Sequence, residues 1–182
     1  MAQFIPFDSH VEVIGQTVLS VITALPAGQD SRKEILARHG IQVPDASTWY
    51  AQKDYLNAFK EIAENVGPHT LFSIGKSIPE DAIFPPQIDS LEKALQSIDI
   101  AYNMNHRGGD IGYYKLTHFD AKNKIARFEC KNPYPSEFDR GIITTMVRKF
   151  RPADSFRDSV VLDTTKPTRL KGADSCSYTI TW

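Results

Sequence analysis

The 182-residue chain is long enough for one domain with a hydrophobic core, and its 41% hydrophobic and 24% charged content is ordinary for a globular protein. A formal net charge of -1 gives no field that would attract nucleic acid or an acidic membrane surface, so neither partner is expected. Because no apolar run approaches the roughly 18 residues of a membrane span and no basic segment precedes the apolar N-terminal residues, we expect one cytoplasmic domain over residues 1–182.

The first 107 residues are predicted to be mostly helical. Apolar residues recur at helical spacing, and Gly67 followed by a proline indicates one stop and restart. The predicted helices are Ser9 to Pro26, residues 30–39, residues 45–67 and residues 69–78.

The clearest helix lies in "FPPQIDSLEKALQSIDIAYNMNHRGG". From Ile88 to Tyr102 its apolar residues alternate spacings of three and four, which places them on one buried stripe. Gly108 is well placed to end this helix in the left-handed conformation.

The period then changes from 3.6 to 2. "DIGYYKLTHF" and "KIARFECK" are predicted to form a hairpin around "DAKN", with Asn123 in the left-handed position of the turn. Residues 136–150 return to helical spacing, and "SVVLD" and "SCSYTITW" indicate two more strands. We therefore predict an α+β fold, in which a helical part (1–107) precedes a ββαββ part (108–182) whose antiparallel sheet of about four strands packs on helices.

Two short motifs are better explained by structure than by chemistry. "GKS" lacks the glycine that a phosphate loop needs five positions earlier, so Gly75 is expected to allow close helix packing. In "NPYPSEFDRG", Pro135 suits the first helical position, and Glu137 and Asp139 suit the first turn.

The two cysteines are too few for a disulfide framework and are expected to be reduced. With "DAKN" as the turn, Cys130 faces Tyr113 across the hairpin, while His118 faces Ile125 on the opposite side of the sheet. No Cys–His pair is expected, and we predict neither a metal site nor a catalytic residue. Cys130 and Cys176 then serve as small apolar residues on the inner face of the sheet.

This organisation resembles the haem-nitric-oxide/oxygen-binding (H-NOX) domain and its superfamily, which includes 4-vinyl-reductase-like domains and Bet3-type tethering subunits. The resemblance covers about residues 10–182, as a divergent member. The local matches are "DYLNAFKEIAENVG", "LFSIGKSIPEDAIFPPQI", "IDIAYNMNHRGG" and "YPSEFDRGII".

The resemblance implies haem as a candidate cofactor. In the haem-binding branch a Tyr-x-Ser-x-Arg motif holds the propionates. Tyr134 and Ser136 match its first two polar positions, but Phe138 occupies the arginine position and cannot grip a carboxylate. Arg140, two residues further along the helix, points about 200° away from that position and is a poor substitute.

The iron ligand that the resemblance implies is a histidine on the helix before the first hairpin. The match places Tyr102 at that position, with His106 one turn later on the same face. A shift of one turn makes His106 the ligand, and tyrosine itself ligates haem iron in some proteins. The alternative interpretation is that His106 is a polar histidine at the helix terminus, where it complements the carbonyl end.

Relatives in this superfamily enclose an apolar cavity between the helices and the sheet, or bury an acyl chain there. The alternative is that the same side chains fill an ordinary core. The candidate cavity residues are Phe72, Ile83, Phe84, Leu95, Ile98, Tyr102, Phe128, Cys130 and Phe138.

Three functional hypotheses follow from the resemblance. The first is a non-enzymatic sensor or interaction domain that binds a small apolar ligand or a signalling partner protein, with a homodimer as one candidate assembly. The second is a haem-binding gas sensor with His106 or Tyr102 on the iron. The third is a reductase acting on a vinyl tetrapyrrole. The sequence has no nucleotide-binding motif, which indicates either an external electron donor or the absence of this activity.

Overall fold

A computed structural model describes residues 3–80 and 82–182 and confirms the predicted α+β class. Within the described residues, no helix is both long and apolar enough to cross a lipid bilayer. The helices are α1 (Gly15–Thr23), α2 (Gln29–Arg38), α3 (Gln52–Glu80), α4 (Leu91–Met104) and α5 (Ser136–Phe150). The strands are β1 (Glu12–Ile14), β2 (Trp49–Ala51), β3 (His106–Arg107), β4 (Tyr113–Asp120), β5 (Ile125–Lys131), β6 (Ser159–Leu162) and β7 (Ser175–Thr181).

The larger sheet has four antiparallel strands, as predicted, and the structure gives their order as β4-β5-β7-β6. Alternate side chains of β5 and β7 are buried, which is the pattern of a sheet with one face on the core. Cys130 and Cys176 lie opposite each other on this inner face, and both are fully buried free thiols.

The predicted register of the β4–β5 hairpin is wrong. Cys130 pairs with Tyr114 and His118 pairs with Arg127, because the turn lies one residue later than predicted and the register shifts again at a bulge between Leu116 and His118. In the displaced turn Lys124 (φ 53°), and not Asn123, has a positive φ.

A second, three-stranded sheet of order β2-β1-β3 was not predicted. Its strands have two or three residues each, which is too short for an alternating pattern to be recognised. Because β1 pairs with both neighbours, the first helix begins at Gly15, and its predicted start at Ser9 is wrong.

The helix before the first hairpin begins at the Ser90 cap, whose hydroxyl accepts from the Lys93 N–H, and ends at Met104. His106 then pairs with Val13 in the small sheet, so Gly108 does not end the helix as predicted. In α3, Gly67 (φ 75°, ψ 175°) interrupts the helix, which agrees with the predicted stop and restart.

Helix α5 lies between α3 and the sheet, and buried residues occur all around its middle turns. Pro135 precedes its first residue as the N-cap, one position earlier than predicted. Gly75 and Gly141 allow the two helices to touch backbone to backbone. A β-carbon on Gly75 would lie 2.0 Å from the Phe138 carbonyl oxygen, and one on Gly141 would lie 2.3 Å from that of Phe72.

Candidate functional site

A cavity of about 370 Å³ lies between α1, the C-terminal part of α3, α4 and α5. This volume is near the lower end of the range for small-molecule sites, about 300–1,000 Å³. The lining residues are Gln16, Thr17, Ser20, Thr23, Ala24, Ser77, Ile78, Pro79, Ala82, Phe84, Ser97, Ile98, Ala101, Tyr102, Asn105, His106, Tyr114, Tyr134, Phe138, Ile142 and Met146. Among these described residues, none carries a carboxylate, an ammonium or a guanidinium group.

The structure brings six of the sequence-predicted site residues together in this lining. They come from three stretches of the chain (residue 84, residues 98–106 and residues 134–138), which meet only in the folded protein. They are Phe84, Ile98, Tyr102, His106, Tyr134 and Phe138.

The other predicted site residues lie elsewhere. Leu95, Phe128 and Cys130 are fully buried in the core and do not line the cavity. Ile83 is almost wholly exposed, at 97%, so its expected place in the cavity is wrong. Ser136 is buried with its carbonyl oxygen accepting from the Tyr178 hydroxyl at 2.8 Å.

Arg140 and Phe72 form a separate contact outside the lining. The guanidinium carbon of Arg140 lies 4.2 Å from the centre of the Phe72 ring, and its Nε donates to the Glu137 carboxylate at 3.0 Å. This arrangement places the Arg140 charge away from the cavity, as the helical angle predicted.

His106 is buried at the base of the cavity, between α4 and β1. Its Nδ1 lies 2.9 Å from the Tyr102 carbonyl oxygen, which can only accept, so this nitrogen carries the proton. Burial lowers the pKa of His106 to about 4, so the imidazole is neutral at pH 7 and its Nε2 is an acceptor. The histidine does complement the end of α4, but it is a buried part of the cavity wall.

Tyr134 donates its hydroxyl hydrogen to His106 Nε2, at 2.7 Å. Burial raises the pKa of the Tyr134 phenol above its ordinary value, so the hydroxyl keeps its proton. Gln52 Nε2 approaches the Tyr134 oxygen at 3.5 Å, the outer limit of a hydrogen bond. The Gln52 carbonyl oxygen and the neighbouring Tyr55 hydroxyl are buried without a hydrogen-bond partner.

A buried ion pair behind the cavity was not predicted. Asp139 and Arg169 are both fully buried and in contact, whereas the sequence predicts only that Asp139 suits the first turn of a helix. Tyr114, which lines the cavity, donates to the same carboxylate at 2.6 Å, and Arg169 also donates to the Asn132 carbonyl at 2.7 Å. The sequence gives no signal that Arg169 is buried, because it stands among polar and basic residues of a connecting segment.

The wall that α5 contributes to the cavity is apolar. Phe138, Ile142 and Met146 are four residues apart, so they form one stripe about 12 Å long on α5. Tyr134 and His106 lie at the N-terminal end of this stripe. The end of α3 meets the other end, where Lys149 donates to the Pro79 carbonyl at 2.7 Å.

Metal ligation by the protein alone has no support in the described residues. They contain no group of three or more His, Cys, Asp or Glu side chains that would hold a metal ion. His118 is exposed on β4 and pairs with Arg127, whereas Cys130 pairs with Tyr114.

Comparison with protein-family models and with curated proteins finds no match for this chain. Solved structures do match. A mutant H-NOX protein from K. algicida, in the Fe(II) unliganded state, aligns with a TM-score of 0.66 at 14% identity, over 92% of this chain and 95% of that one. An H-NOX protein from S. oneidensis in the Fe(II)NO state aligns with a TM-score of 0.62 at 13% identity, over 92% and 97%.

A mutant H-NOX protein from T. Tengcongensis aligns equally completely, with a TM-score of 0.61 at 15% identity over 92% of this chain and 96% of that one. Such low identities establish the fold and nothing finer. The chain therefore has the H-NOX fold, and the resemblance predicted from its sequence is confirmed at that level.

Haem is the cofactor that this fold suggests. Among the described lining residues only His106 resembles one of its ligands, and the Nε2 that would bind iron already accepts from the Tyr134 hydroxyl. A neutral histidine whose Nδ1–H is held by a carbonyl is the usual form of a metal-ligating imidazole. However, two propionates would find no lysine or arginine in the described lining, and Phe138 stands where an arginine is expected. Because unpaired buried carboxylates are strongly unfavourable, the residues present do not fit haem as a whole.

Tyr102 is a poorer iron ligand than His106 in this setting. Its hydroxyl donates to the Ile111 carbonyl, and burial raises the pKa of its phenol well above the ordinary value. The phenolate that would bind iron is therefore strongly disfavoured.

Proposed function

We propose that this chain is a non-enzymatic sensor domain of the H-NOX fold whose cavity binds a small, uncharged, mainly apolar molecule. The observation that carries the proposal is the cavity of about 370 Å³, which has no charged side chain among its described lining residues. An apolar wall with a few convergent polar groups is the usual character of a small-molecule site. The neutral state of His106 supports an uncharged occupant as well.

Filling the cavity tests this proposal. Heptyl methyl ether is a suitable uncharged probe, and its binding is expected to raise the thermal unfolding temperature of the wild-type protein by mass action. Ile142→Trp places an indole in the middle of the apolar stripe and is expected to abolish this rise. Val161→Trp, on the exposed face of β6, is the matched control and should keep it.

Two results would contradict the proposal. One is a wild-type protein that carries no small molecule in native mass spectrometry and is not stabilised by the ether. The other is an Ile142→Trp variant that binds the ether as tightly as the wild-type protein does, which would place binding outside the cavity.

A second candidate is a haem-binding gas sensor, and the H-NOX fold together with the geometry of His106 favours it. His106 would ligate the iron, and the haem would supply the gas-binding centre. We expect instead that reconstitution with haem leaves no Soret absorption band, because the propionates have no partner. A Soret band in the wild-type protein that His106→Ala removes would favour the second candidate over the first.

A sensor domain acts through another molecule, and we propose a signalling protein or a second copy of this chain for that role. Light scattering over a range of protein concentrations, with and without the ether, tests whether the partner is a second copy of this chain. A mass that stays at 20.5 kDa under all conditions would leave a different signalling protein as the partner.

A further inference from the structure

The hydroxyl groups on the helices around the cavity already use their hydrogens. Ser20, Thr23, Ser77 and Ser97 each donate to a carbonyl oxygen of their own helix, three or four residues earlier, at 2.6 to 3.2 Å. A serine or threonine has one hydrogen to donate, so these groups offer a ligand only acceptor lone pairs.

The buried polar groups at the end of the cavity are committed in the same way. The Tyr102 hydroxyl donates to the Ile111 carbonyl, and the Tyr114 hydroxyl donates to the Asp139 carboxylate. The His106 N–H donates to the Tyr102 carbonyl. The remaining donors of the described lining are the side chains of Gln16 and Thr17 on α1 and the second amide hydrogen of Asn105, whose first is donated to the Ala101 carbonyl. Gln16 is exposed, and Thr17 and Asn105 are only half-buried. The buried part of the described lining is therefore rich in acceptors and poor in donors.

Tyr134 provides the best acceptor for a ligand. Its hydrogen is donated to His106, which fixes the direction of the hydroxyl. Among the described residues, the oxygen accepts one long hydrogen bond, from Gln52 at 3.5 Å, so it can still accept from a ligand. A group bound here must donate a hydrogen bond, because a carbonyl, ether or carboxylate oxygen would face another acceptor.

We propose that the cavity takes an elongated, uncharged alcohol whose hydroxyl donates to the Tyr134 oxygen and whose apolar chain lies along Phe138, Ile142 and Met146. The inference rests on the proposed function and deepens it, since it names the chemical class of the ligand. The stripe of about 12 Å on α5 sets the direction of the chain, and His106 acts as a positioning residue for the Tyr134 hydroxyl.

Two isomers of equal size provide the test. 1-Octanol and heptyl methyl ether contain the same atoms, but only the alcohol has a hydrogen to donate, and octanoate is the matched anion. Isothermal titration calorimetry on the wild-type protein is expected to give an affinity for 1-octanol about five- to tenfold higher than for the ether, the usual net effect of one hydrogen bond. Octanoate is expected not to bind, because the buried lining offers neither a free donor nor a cation.

Tyr134→Phe separates this contact from general packing. The variant is expected to bind the ether nearly as well as the wild-type protein and to lose the preference for the alcohol. Tyr113→Phe is the matched control, since its hydroxyl bonds to Glu129 on the sheet and it does not line the cavity. If Tyr134→Phe does not fold, the ratio of the two wild-type affinities still decides the inference.

The outcomes distinguish this inference from the proposed function. Equal affinities for the alcohol and the ether, or tight binding of octanoate, would overturn the alcohol assignment and leave an uncharged-ligand cavity in place. A preference for the alcohol that survives in Tyr134→Phe would also overturn it. If neither the alcohol nor the ether binds the wild-type protein, both proposals fall together.

Discussion

At the scale of single residues, the segment "NPYPSEFDRG" carries several unrelated contacts within ten positions. The Tyr134 hydroxyl donates to His106 Nε2. Phe138 lines the cavity and packs edge to face on Phe59, with 5.3 Å between the ring centres. Asp139 pairs with Arg169 inside the core, and Glu137 pairs with Arg140 nearer the surface. The segment is therefore a helix start whose side chains also build one end of the cavity and a buried ion pair.

Asp139→Asn is expected to be strongly destabilising. It leaves the Arg169 guanidinium buried without a counter-charge, which costs roughly 3–5 kcal/mol in comparable pairs. Urea unfolding measures the loss. The control is Glu137→Gln, whose pair with Arg140 is about one-third exposed and should change stability by less than about 1 kcal/mol.

Replacing both partners is expected to cost less than replacing one. In Asp139→Leu combined with Arg169→Met, no buried charge is left unpaired, so part of the loss should be recovered, although the Tyr114 hydroxyl and the Asn132 carbonyl lose a hydrogen-bond partner. If the double variant is as unstable as Asp139→Asn, the unpaired charge is not the cause.

His106 is expected to make stability fall in mildly acidic solution. Its pKa of about 4 in the folded protein is below the unfolded value of about 6.5, so the unfolded chain binds more protons between these values. The free energy of unfolding should therefore be fully present above about pH 6.5 and decrease by roughly 3 kcal/mol as the pH falls to about 4.

The free energy of unfolding, measured by urea from neutral to acidic pH, checks this expectation. The difference between the wild-type protein and His106→Gln gives the contribution of this one histidine. That variant should show a flatter profile through the window, since glutamine does not titrate. His118→Gln, at an exposed position, is the control for replacing a histidine by glutamine. Parallel profiles for wild type and His106→Gln would show that the imidazole does not have the lowered pKa.

At the scale of secondary-structure elements, α5 is the helix that joins the other parts of the fold. Its contacts with α3 are the most extensive between helices, and it also contacts α4 and β6. The backbone approach at Gly75 and Gly141 explains why a helix former such as alanine is absent at both positions. Helix propensity favours alanine over glycine by about 1 kcal/mol, but the close contact outweighs that gain.

Gly75→Ala is expected to destabilise the protein by about 1–3 kcal/mol despite the better helix propensity of alanine. The added methyl group would lie 2.0 Å from the Phe138 carbonyl oxygen, so the helices must separate. Thermal or urea unfolding measures the change. Asn65→Ala, at an exposed position of α3, should be neutral or slightly stabilising, and a similar result for Gly75→Ala would contradict the close contact.

At the scale of the whole molecule, the sequence predicted the larger architecture because long elements carry long patterns. The strands of the four-stranded sheet, the break at Gly67 and the helix from Ser136 each show their period or their stop signal. The strands of the small sheet are too short to show a period. The bulge in β4 is recognised only when β4 is paired with β5, because the sequence alone does not show where the register shifts.

The site was less predictable than the fold for a similar reason. Tyr134, His106 and Phe138 were singled out because the family resemblance drew attention to them. The polar contacts that define the cavity depend on which hydrogens are already used, and that follows only from three-dimensional geometry. Arg169 illustrates the limit most clearly, because its sequence neighbourhood is that of an ordinary surface segment.

The uncharged lining also gives an expectation for the whole molecule in solution. The affinity for heptyl methyl ether should change by less than about twofold when sodium chloride is raised from about 0.05 M to about 0.5 M, because neither the ether nor the described lining carries a charge that salt would screen. Titration calorimetry at the two concentrations checks this. A steep loss of affinity at high salt would indicate that a charged group takes part in binding.

The glycine contact between α3 and α5 also bears on how a ligand reaches the cavity. With two backbones in direct contact, that pair of helices cannot open without breaking the centre of the core. The opposite wall is different, since Thr23 of α1 and Ala101 of α4 are exposed to solvent although they line the cavity. We therefore expect exchange of the occupant with solvent to proceed by displacement of α1 from α4, while the frame of α3, α5 and the sheet stays fixed.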